Sequence, residues 1–172
     1  MCNIDSKMNT VIDITKPLIL REAVADDCLQ YWQWANDPSV REMAFDQNPI
    51  PWEQHQKWYH HKLTSPDTHL FILKDQHKLP LGQIRFEQAE RGVFEIDVSI
   101  APNCQSMGLG RLLVEEGEAL LREKTELLRL RSLIKSENHA SIALFKSTGF
   151  VQTEACDQSP NSNALIFEKA CL

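Results

Sequence analysis

The sequence has no apolar run that approaches the roughly 20 residues a membrane-spanning helix needs. It also has no basic run of five or more residues, and its 24 acidic and 18 basic residues give a net charge of −6. Because non-specific nucleic-acid binding requires clustered lysines and arginines, we expect neither a membrane nor a nucleic acid as a partner.

Residue patterns for metal sites and disulfides are missing as well. The five cysteines are scattered without a C-x-x-C pair, and no two of the six histidines stand at the i, i+4 spacing of a helical metal site. We therefore expect no metal cofactor, and we expect reduced thiols in a cytoplasmic protein.

Length and the N-terminal stretch bear on the domain organisation. A chain of 172 residues that is 42% hydrophobic is long enough for one domain with a sizeable core. Residues 1–16 carry acids and lack a continuous apolar core, so they do not have the pattern of a signal peptide. We expect a flexible lead-in over residues 1–16 and a single domain over residues 17–172.

The hydrophobic pattern changes its period along the chain. It predicts a strand at residues 18–22, a helix over CLQYWQWA, a short helix from Pro38 and a third helix from about Pro51. Three strands, a long helix, a strand, a helix and a final pair of strands follow. This order predicts an α/β (α+β) fold, in which a mixed central sheet of about six to seven strands is flanked by helices on both faces.

The helix CLQYWQWA carries two more specific expectations. Asp26 and Asp27 precede it and are expected to cap its N-terminus. The residues expected on its inward face are Cys28, Leu29, Trp32 and Ala35.

The segment QSMGLGR, residues 105–111, follows the alternating run FEIDVSI and precedes a helical pattern. Two glycines at a helix N-terminus let backbone N–H groups approach an anion closely, although such turns also serve only to connect a strand to a helix. The segment lacks the Lys-Ser/Thr pair of a P-loop and the third glycine of a dinucleotide fingerprint. It therefore indicates neither ATP nor NAD.

A second motif, ENHASIALFKSTGF over residues 137–150, follows the next predicted strand. Together, Q-x-x-G-x-G and N-x-x-S-x-x-x-F-x-x-x-G-F closely resemble the GNAT N-acetyltransferases, and the resemblance covers about residues 17–170. It implies the GNAT fold, acetyl-coenzyme A as the acetyl donor and the pyrophosphate of that donor as the anion at the glycine turn. It also admits a homodimer, since many relatives pair through terminal strands.

The resemblance implies which residues bind the donor. The strand residues Val98, Ser99 and Ile100 would pair with the pantetheine arm, and Phe145 would lie beside the thioester sulfur. The remaining donor-binding residues would be Gln105, Ser106, Met107, Gly108, Leu109, Gly110, Arg111 and Asn138.

The catalytic candidates are Glu95 and Asp97, on the strand beside the donor. A carboxylate there would take the proton of the attacking amine, and Glu95 matches the glutamate of the ribosomal-protein acetyltransferase-like branch (A-E-I-G-Y there, F-E-I-D-V here). The alternative is that both residues form the solvated side of an alternating strand. Two departures from the family pattern are Phe145, where many members have a tyrosine acid, and Leu133, where N-terminal alanine acetyltransferases have a glutamate.

The stretch from the first helix to the third is expected to choose the acceptor. It resembles acetyltransferases of nucleotide-linked amino sugars, such as those of the pseudaminic acid pathway, which favours that substrate class. Peptide or ribosomal-protein, aminoglycoside and polyamine acetyltransferases share its W-x-N-D-P frame, and a non-catalytic acyl-coenzyme A module is a further alternative. The substrate-binding candidates are Trp34, Asn36, Arg41, Phe45, Trp52 and Arg85.

Overall fold

The computed structural model describes residues 17–153 and 163–171. The expected flexible lead-in over residues 1–16 lies outside these residues, as does the whole loop CDQSPNS expected to join the last two strands.

The described residues form seven strands and five α-helices in the predicted order. Short 3-10 turns at Ala25–Asp27 and Pro102–Cys104 precede the first and fourth helices. The elements are β1 (Ile19–Glu22), α1 (Cys28–Ala35), α2 (Pro38–Met43), α3 (Trp52–Thr64), β2 (Thr68–Lys74), β3 (Pro80–Glu90), β4 (Val93–Ile100), α4 (Leu109–Lys124), β5 (Arg129–Lys135), α5 (His139–Ser147), β6 (Val151–Thr153) and β7 (Ala164–Ala170).

The strands form one mixed sheet in the order β1-β2-β3-β4-β5-β7-β6, which confirms the predicted fold class. Among these strands, β4 and β5 are the parallel pair, and the other neighbours are antiparallel. β4 pairs with β5 only over Val93–Glu95, opposite Arg129–Arg131. Beyond that point β5 continues its pairing with β7 alone, so the sheet opens between β4 and β5.

The two faces of β3 and β4 differ in character because side chains alternate along a strand. Ile84 and Phe86 face α4, whose Gly117 approaches so closely that an added Cβ would lie 3.0 Å from Ile84 Cδ1. The opposite face carries a polar ladder of cross-strand pairs, which we define as Gln83–Ser99, Arg85–Asp97 and Glu87–Glu95.

The inward face predicted for α1 is wrong at Leu29 and omits Tyr31 and Trp34, although the predicted Cys28 does pack against the core. Tyr31 and Trp34 are the buried residues of this helix, whereas the side chain of Leu29 is 50% exposed. Tyr31 packs edge-on against Tyr59 of α3 at 5.1 Å between ring centroids, and its hydroxyl donates a hydrogen bond to the Phe71 carbonyl. Burial of two large rings, one of them with a satisfied hydroxyl, outweighs burial of smaller Cys and Leu side chains.

Asp27 is buried in front of α1 without capping it, contrary to the prediction. Its carboxylate accepts hydrogen bonds from the Val24 N–H (2.9 Å), the Arg21 guanidinium (2.7 Å) and the Lys74 ammonium (3.0 Å). Burial opposes ionisation, but these donors outweigh it and lower the pKa of Asp27 from 3.8 to about 2. The carboxylate therefore joins β1, β2 and the start of α1.

Three further observations concern the thiols, the potential metal ligands and the helices of the described ranges. Cys28, Cys104 and Cys171 are free thiols. The described residues contain no cluster of three or more potential metal ligands, and none of their helices is long and apolar enough to cross a bilayer. The homodimer stays a prediction.

Replacing Asp27 by Asn should lower the free energy of unfolding by about 2 kcal/mol at pH 7, because two cations lose their buried partner. The folded-state pKa is lowered, so this stabilisation is complete above about pH 4 and disappears as the pH falls towards 2. Urea denaturation at pH 7 and between pH 4 and 2 measures both effects. Asp26→Asn, at an exposed neighbouring position, is the control, and an equal loss in that variant would contradict the assignment.

Candidate active site

A cavity of about 1340 Å³ opens where β4 and β5 separate. One wall comes from the end of β4, the glycine turn, β5 and α5, and the other comes from α1, α2 and its following loop, and α3. The predicted donor motifs and the predicted acceptor segment thus face the same space. A cavity of this size accommodates a large ligand together with a second molecule.

The glycine turn forms an N-terminus of α4 that is suited to an anion. Gly108 is the N-cap residue with φ +80°, and an added Cβ there would meet no atom within 4 Å. Leu112 N–H makes a long bond (3.4 Å) to the Gly108 carbonyl, so the N–H groups of Leu109 to Arg111 precede the first helical hydrogen bond. These free donors and the positive end of the helix dipole fit a pyrophosphate.

The residues predicted in this turn divide into two groups. Gln105, Ser106, Gly108, Gly110 and Arg111 line the cavity. Met107 packs against the hydrophobic core and Leu109 is buried in it, so each offers the ligand only its backbone.

The separated strands offer a second surface for an extended ligand. Val98, Ser99 and Ile100 line the cavity on the β4 side, and residues 132–135 line it on the β5 side. β4 has no strand partner on this side beyond Glu95. An extended chain such as a pantetheine arm would thus find backbone hydrogen-bonding groups there.

α5 completes the wall on the donor side. Asn138 lines the cavity and caps the helix, since its Oδ1 accepts a hydrogen bond from the Ser141 N–H at 3.1 Å. Phe145 is buried, also lines the cavity and packs edge-on against Phe150 at 4.8 Å between centroids. Its ring offers no proton donor, so a departing thiolate would receive no proton from this position.

The two catalytic candidates lie in different environments. Asp97 lines the cavity, its side chain is 55% exposed, and it accepts a hydrogen bond from Gln83 Nε2 at 3.1 Å. Arg85 Nη2 lies 4.0 Å from the Asp97 carboxylate. Glu95 is exposed and is not among the residues that line the cavity, because it sits where β4 still pairs with β5. Of these two candidates, Asp97 is therefore the one whose carboxylate faces the cavity.

The aromatic residues predicted to bind the substrate are mostly structural. Trp34 is buried in the core, and Trp52 packs against Trp32 at 5.4 Å without lining the cavity. Both corrections follow from the large area that an indole buries against neighbouring helices. Phe45, which is 37% exposed, does line the cavity.

The polar substrate candidates are also occupied by structural contacts. Asn36 does not line the cavity, because its amide donates to the Ile50 carbonyl (3.2 Å) and accepts from the Ile50 N–H (2.8 Å). Arg41 lines the cavity while its Nη1 donates to the carbonyl groups of residues 46 and 48. Arg85 lines it too, bound to Glu87 at 3.0 Å and placed 5.2 Å over the Trp58 ring.

Several cavity residues were not predicted as site residues. Tyr31, His55 and Trp58 lie on helical faces whose spacing also fits plain core packing. His55 is buried with Nε2 3.1 Å from the Cys28 carbonyl, and burial lowers its pKa below the ordinary value. Lys135 Nζ donates to the Glu42 carbonyl at 3.2 Å and so connects the two walls. No sequence signal indicates that contact, which joins distant segments.

Comparisons with known proteins agree with this geometry. A family model described as an acetyltransferase (GNAT) domain matches residues 17–151, which is well over half of the chain. No curated protein sequence matches the chain significantly.

Three solved structures show the same fold. The spermidine N-acetyltransferase from Vibrio cholerae, in complex with CoA and spermine, has a TM-score of 0.78 at 17% identity and covers 89% of this chain and 95% of its own. An aminoglycoside acetyltransferase in complex with coenzyme A has a TM-score of 0.75 at 18% identity, with coverages of 90% and 95%. The ribosomal-protein-alanine N-acetyltransferase from Brucella melitensis has a TM-score of 0.74 at 20% identity, with coverages of 89% and 99%.

The family model spans most of the chain, and the sheet, the glycine turn and the cavity have the arrangement that the sequence motifs imply. The chain belongs to the GNAT acetyltransferase family.

Proposed function

We propose that this protein is an acetyl-coenzyme A-dependent N-acetyltransferase that acts on a primary amine of a small molecule. One observation carries the proposal: a single cavity joins the free N–H groups at the start of α4 to the carboxylate of Asp97. Between these ends lies the unpaired stretch of β4, which gives an extended donor a path from one to the other.

Donor binding would use the backbone more than charged side chains. The N–H groups of Leu109 to Arg111 would hold the pyrophosphate, and residues 98–100 would pair with the pantetheine arm. Arg111 is held by Glu115 at 2.8 Å, so its charge is already balanced. A chain with a net negative charge can therefore bind the anionic acetyl-coenzyme A, since the backbone N–H groups act locally on its pyrophosphate.

Acetyl-coenzyme A supplies the thioester carbonyl that the amine attacks. Asp97 would accept the proton of the acceptor ammonium, and backbone N–H groups of β4 near Val98 would stabilise the developing oxyanion. Phe145 provides no acid for the leaving thiol. A thiol with a pKa near 8.5 that leaves as thiolate at pH 7 costs only about 2 kcal/mol, which the reaction tolerates.

The charges at the acceptor end favour a cationic amine. The cavity is lined there by three carboxylates, those of Glu42, Asp46 and Asp97. Within the described residues, neither Glu42 nor Asp46 forms an ion pair. Of the two arginines of this region, Arg41 donates to backbone carbonyls, and Arg85 binds Glu87 at 3.0 Å and lies 4.0 Å from Asp97. An amine with several positive charges therefore suits the site better than a phosphate-bearing one.

A nucleotide-linked amino sugar is the second candidate. Phe45 and Trp58 line the acceptor end and offer ring faces for a sugar or a base. The aromatic wall is smaller than the sequence predicts, because Trp34 and Trp52 pack elsewhere.

A substitution at Gly108 tests the anion site. Gly108→Ala should raise the Kd for acetyl-coenzyme A about tenfold or more, because its Cβ enters the donor cavity. Gly149→Ala is the matched control, since Gly149 has a similar φ of +89° and an added Cβ there makes only ordinary contact with Lys169. Both variants should lose roughly 1–2 kcal/mol of stability from left-handed strain. Calorimetric titration separates the two effects, and equal affinities would contradict the site.

Substitutions at Asp97 and Glu95 distinguish the two catalytic candidates. Asp97→Asn should lower kcat by roughly 10²- to 10⁴-fold while the Kd for acetyl-coenzyme A stays unchanged, because the variant lacks only the proton acceptor. Glu95→Gln should stay within a few-fold of the wild type. Thiol release at saturating donor measures both. The reverse pattern would assign the base to Glu95.

Turnover on a panel of amines tests the proposed acceptor class. With spermidine, kanamycin, an alanine-led peptide and a UDP-linked 4-amino sugar as acceptors, turnover should be fastest on one of the first two, because the carboxylates attract multiply charged amines. Turnover should also fall as the salt concentration rises. Faster turnover of the nucleotide sugar would make the second candidate the function. Tight donor binding without turnover of any amine in a wider panel would favour a non-catalytic module.

A further inference from the structure

Gln83 lies in the polar ladder beside Asp97. It is on β3, directly opposite Ser99, and only 8% of its surface is exposed. Its Nε2 donates a hydrogen bond to Asp97 Oδ1 at 3.1 Å. Neither sequence motif contains this residue, and it does not line the cavity.

The other half of the Gln83 amide is unsatisfied. Gln83 Oε1 is buried without a hydrogen-bond partner among the described residues, and so is the Oγ of the facing Ser99. A buried polar atom without a partner destabilises a fold, and an apolar side chain of the same size would avoid that loss. If the amide turned over, Oε1 would face the carboxylate and be repelled. The favoured orientation of the buried amide is therefore the one in which Nε2 donates to Asp97.

Among the groups that surround Asp97, Gln83 makes the hydrogen bond to the carboxylate. Arg85 is the charged group facing Asp97 from β3, and Glu95 lies two residues earlier on the same face of β4. Tyr31, from α1, and His55, from α3, line the same cavity. Arg85 is held by Glu87 and lies over the Trp58 ring, with its Nη2 still 4.0 Å from the carboxylate. Gln83 thus makes the short directional contact that Arg85 does not make.

We propose that Gln83 is a positioning residue, which holds the Asp97 carboxylate in the orientation that receives the proton of the acceptor amine. This inference rests on the proposed function in one respect, the role of Asp97 as the base. The hydrogen bond itself is independent of that role.

The test compares Gln83→Met with Gln88→Met, an exposed glutamine on the same strand. Methionine keeps the size of the side chain and removes both polar atoms. We expect Gln83→Met to keep or raise Tm, to leave the Kd for acetyl-coenzyme A unchanged and to lower kcat/KM for the amine roughly 10- to 100-fold. Gln88→Met should match the wild type.

Two results would overturn the inference. One is a fall in Tm that accompanies the loss of activity, which would make Gln83 structural. The other is an activity loss that adds fully to that of Asp97→Asn, whereas a residue that acts through Asp97 should cause no further loss in that background.

A second readout does not depend on turnover. In crystal structures, the Asp97 carboxylate should keep one orientation in the wild type and in Gln88→Met, and it should adopt more than one orientation in Gln83→Met, which lacks the N–H donor. A single unchanged orientation in Gln83→Met would overturn the inference. If the orientation is lost but no amine is acetylated by the wild type, the coupling of Gln83 to Asp97 is supported and the proposed reaction is what fails.

Discussion

The separation of β4 from β5 is the constraint on which the rest of the site depends. The two strands pair in parallel for three residues and then separate, because β5 stays paired with β7 while β4 stays paired with β3. The gap leaves backbone groups of β4 without a strand partner and places the start of α4 at one end of the opening. A continuous sheet would leave no room for a donor, and the glycine turn would then be only a connection. The opening therefore gives the turn a function.

The polar ladder shows how one sheet serves both stability and chemistry. Its β3 and β4 strands bury Ile84 and Phe86 against α4, and they present charged and amide groups to the opposite side. Within the ladder Arg85 forms an ion pair with Glu87, which also binds Lys62 of α3. Asp97 is the member of the ladder that stays largely exposed to the cavity. The packing of one sheet face against α4 thus fixes the register of β3 and β4, and this register places the Asp97 carboxylate on the opposite face.

Local sequence signals predicted the fold well and the acceptor site poorly. The bounds of α1 and α5 and the left-handed Gly149 follow from helix periodicity and from capping chemistry, which involve neighbouring residues. The residues proposed to bind acetyl-coenzyme A also lie close together in the sequence, because they come from two continuous motifs. The roles of Trp34 and Asp27 depend on contacts with segments that are distant in the chain, and nothing in a linear pattern ranks one aromatic or one carboxylate above another. The contact between Gln83 and Asp97 depends on strand register, which becomes visible only once β3 and β4 are paired.

The bond from Lys135 to the Glu42 carbonyl has a consequence for folding. It joins residues 93 positions apart, and the strands β2, β3 and β4 all lie between them in the chain. Bringing such distant segments together has an entropic cost that only the completed sheet offsets. A chain that has formed either half alone holds one wall and no cavity. Binding competence therefore requires both walls, and the capacity to bind a ligand reports that the whole domain is assembled.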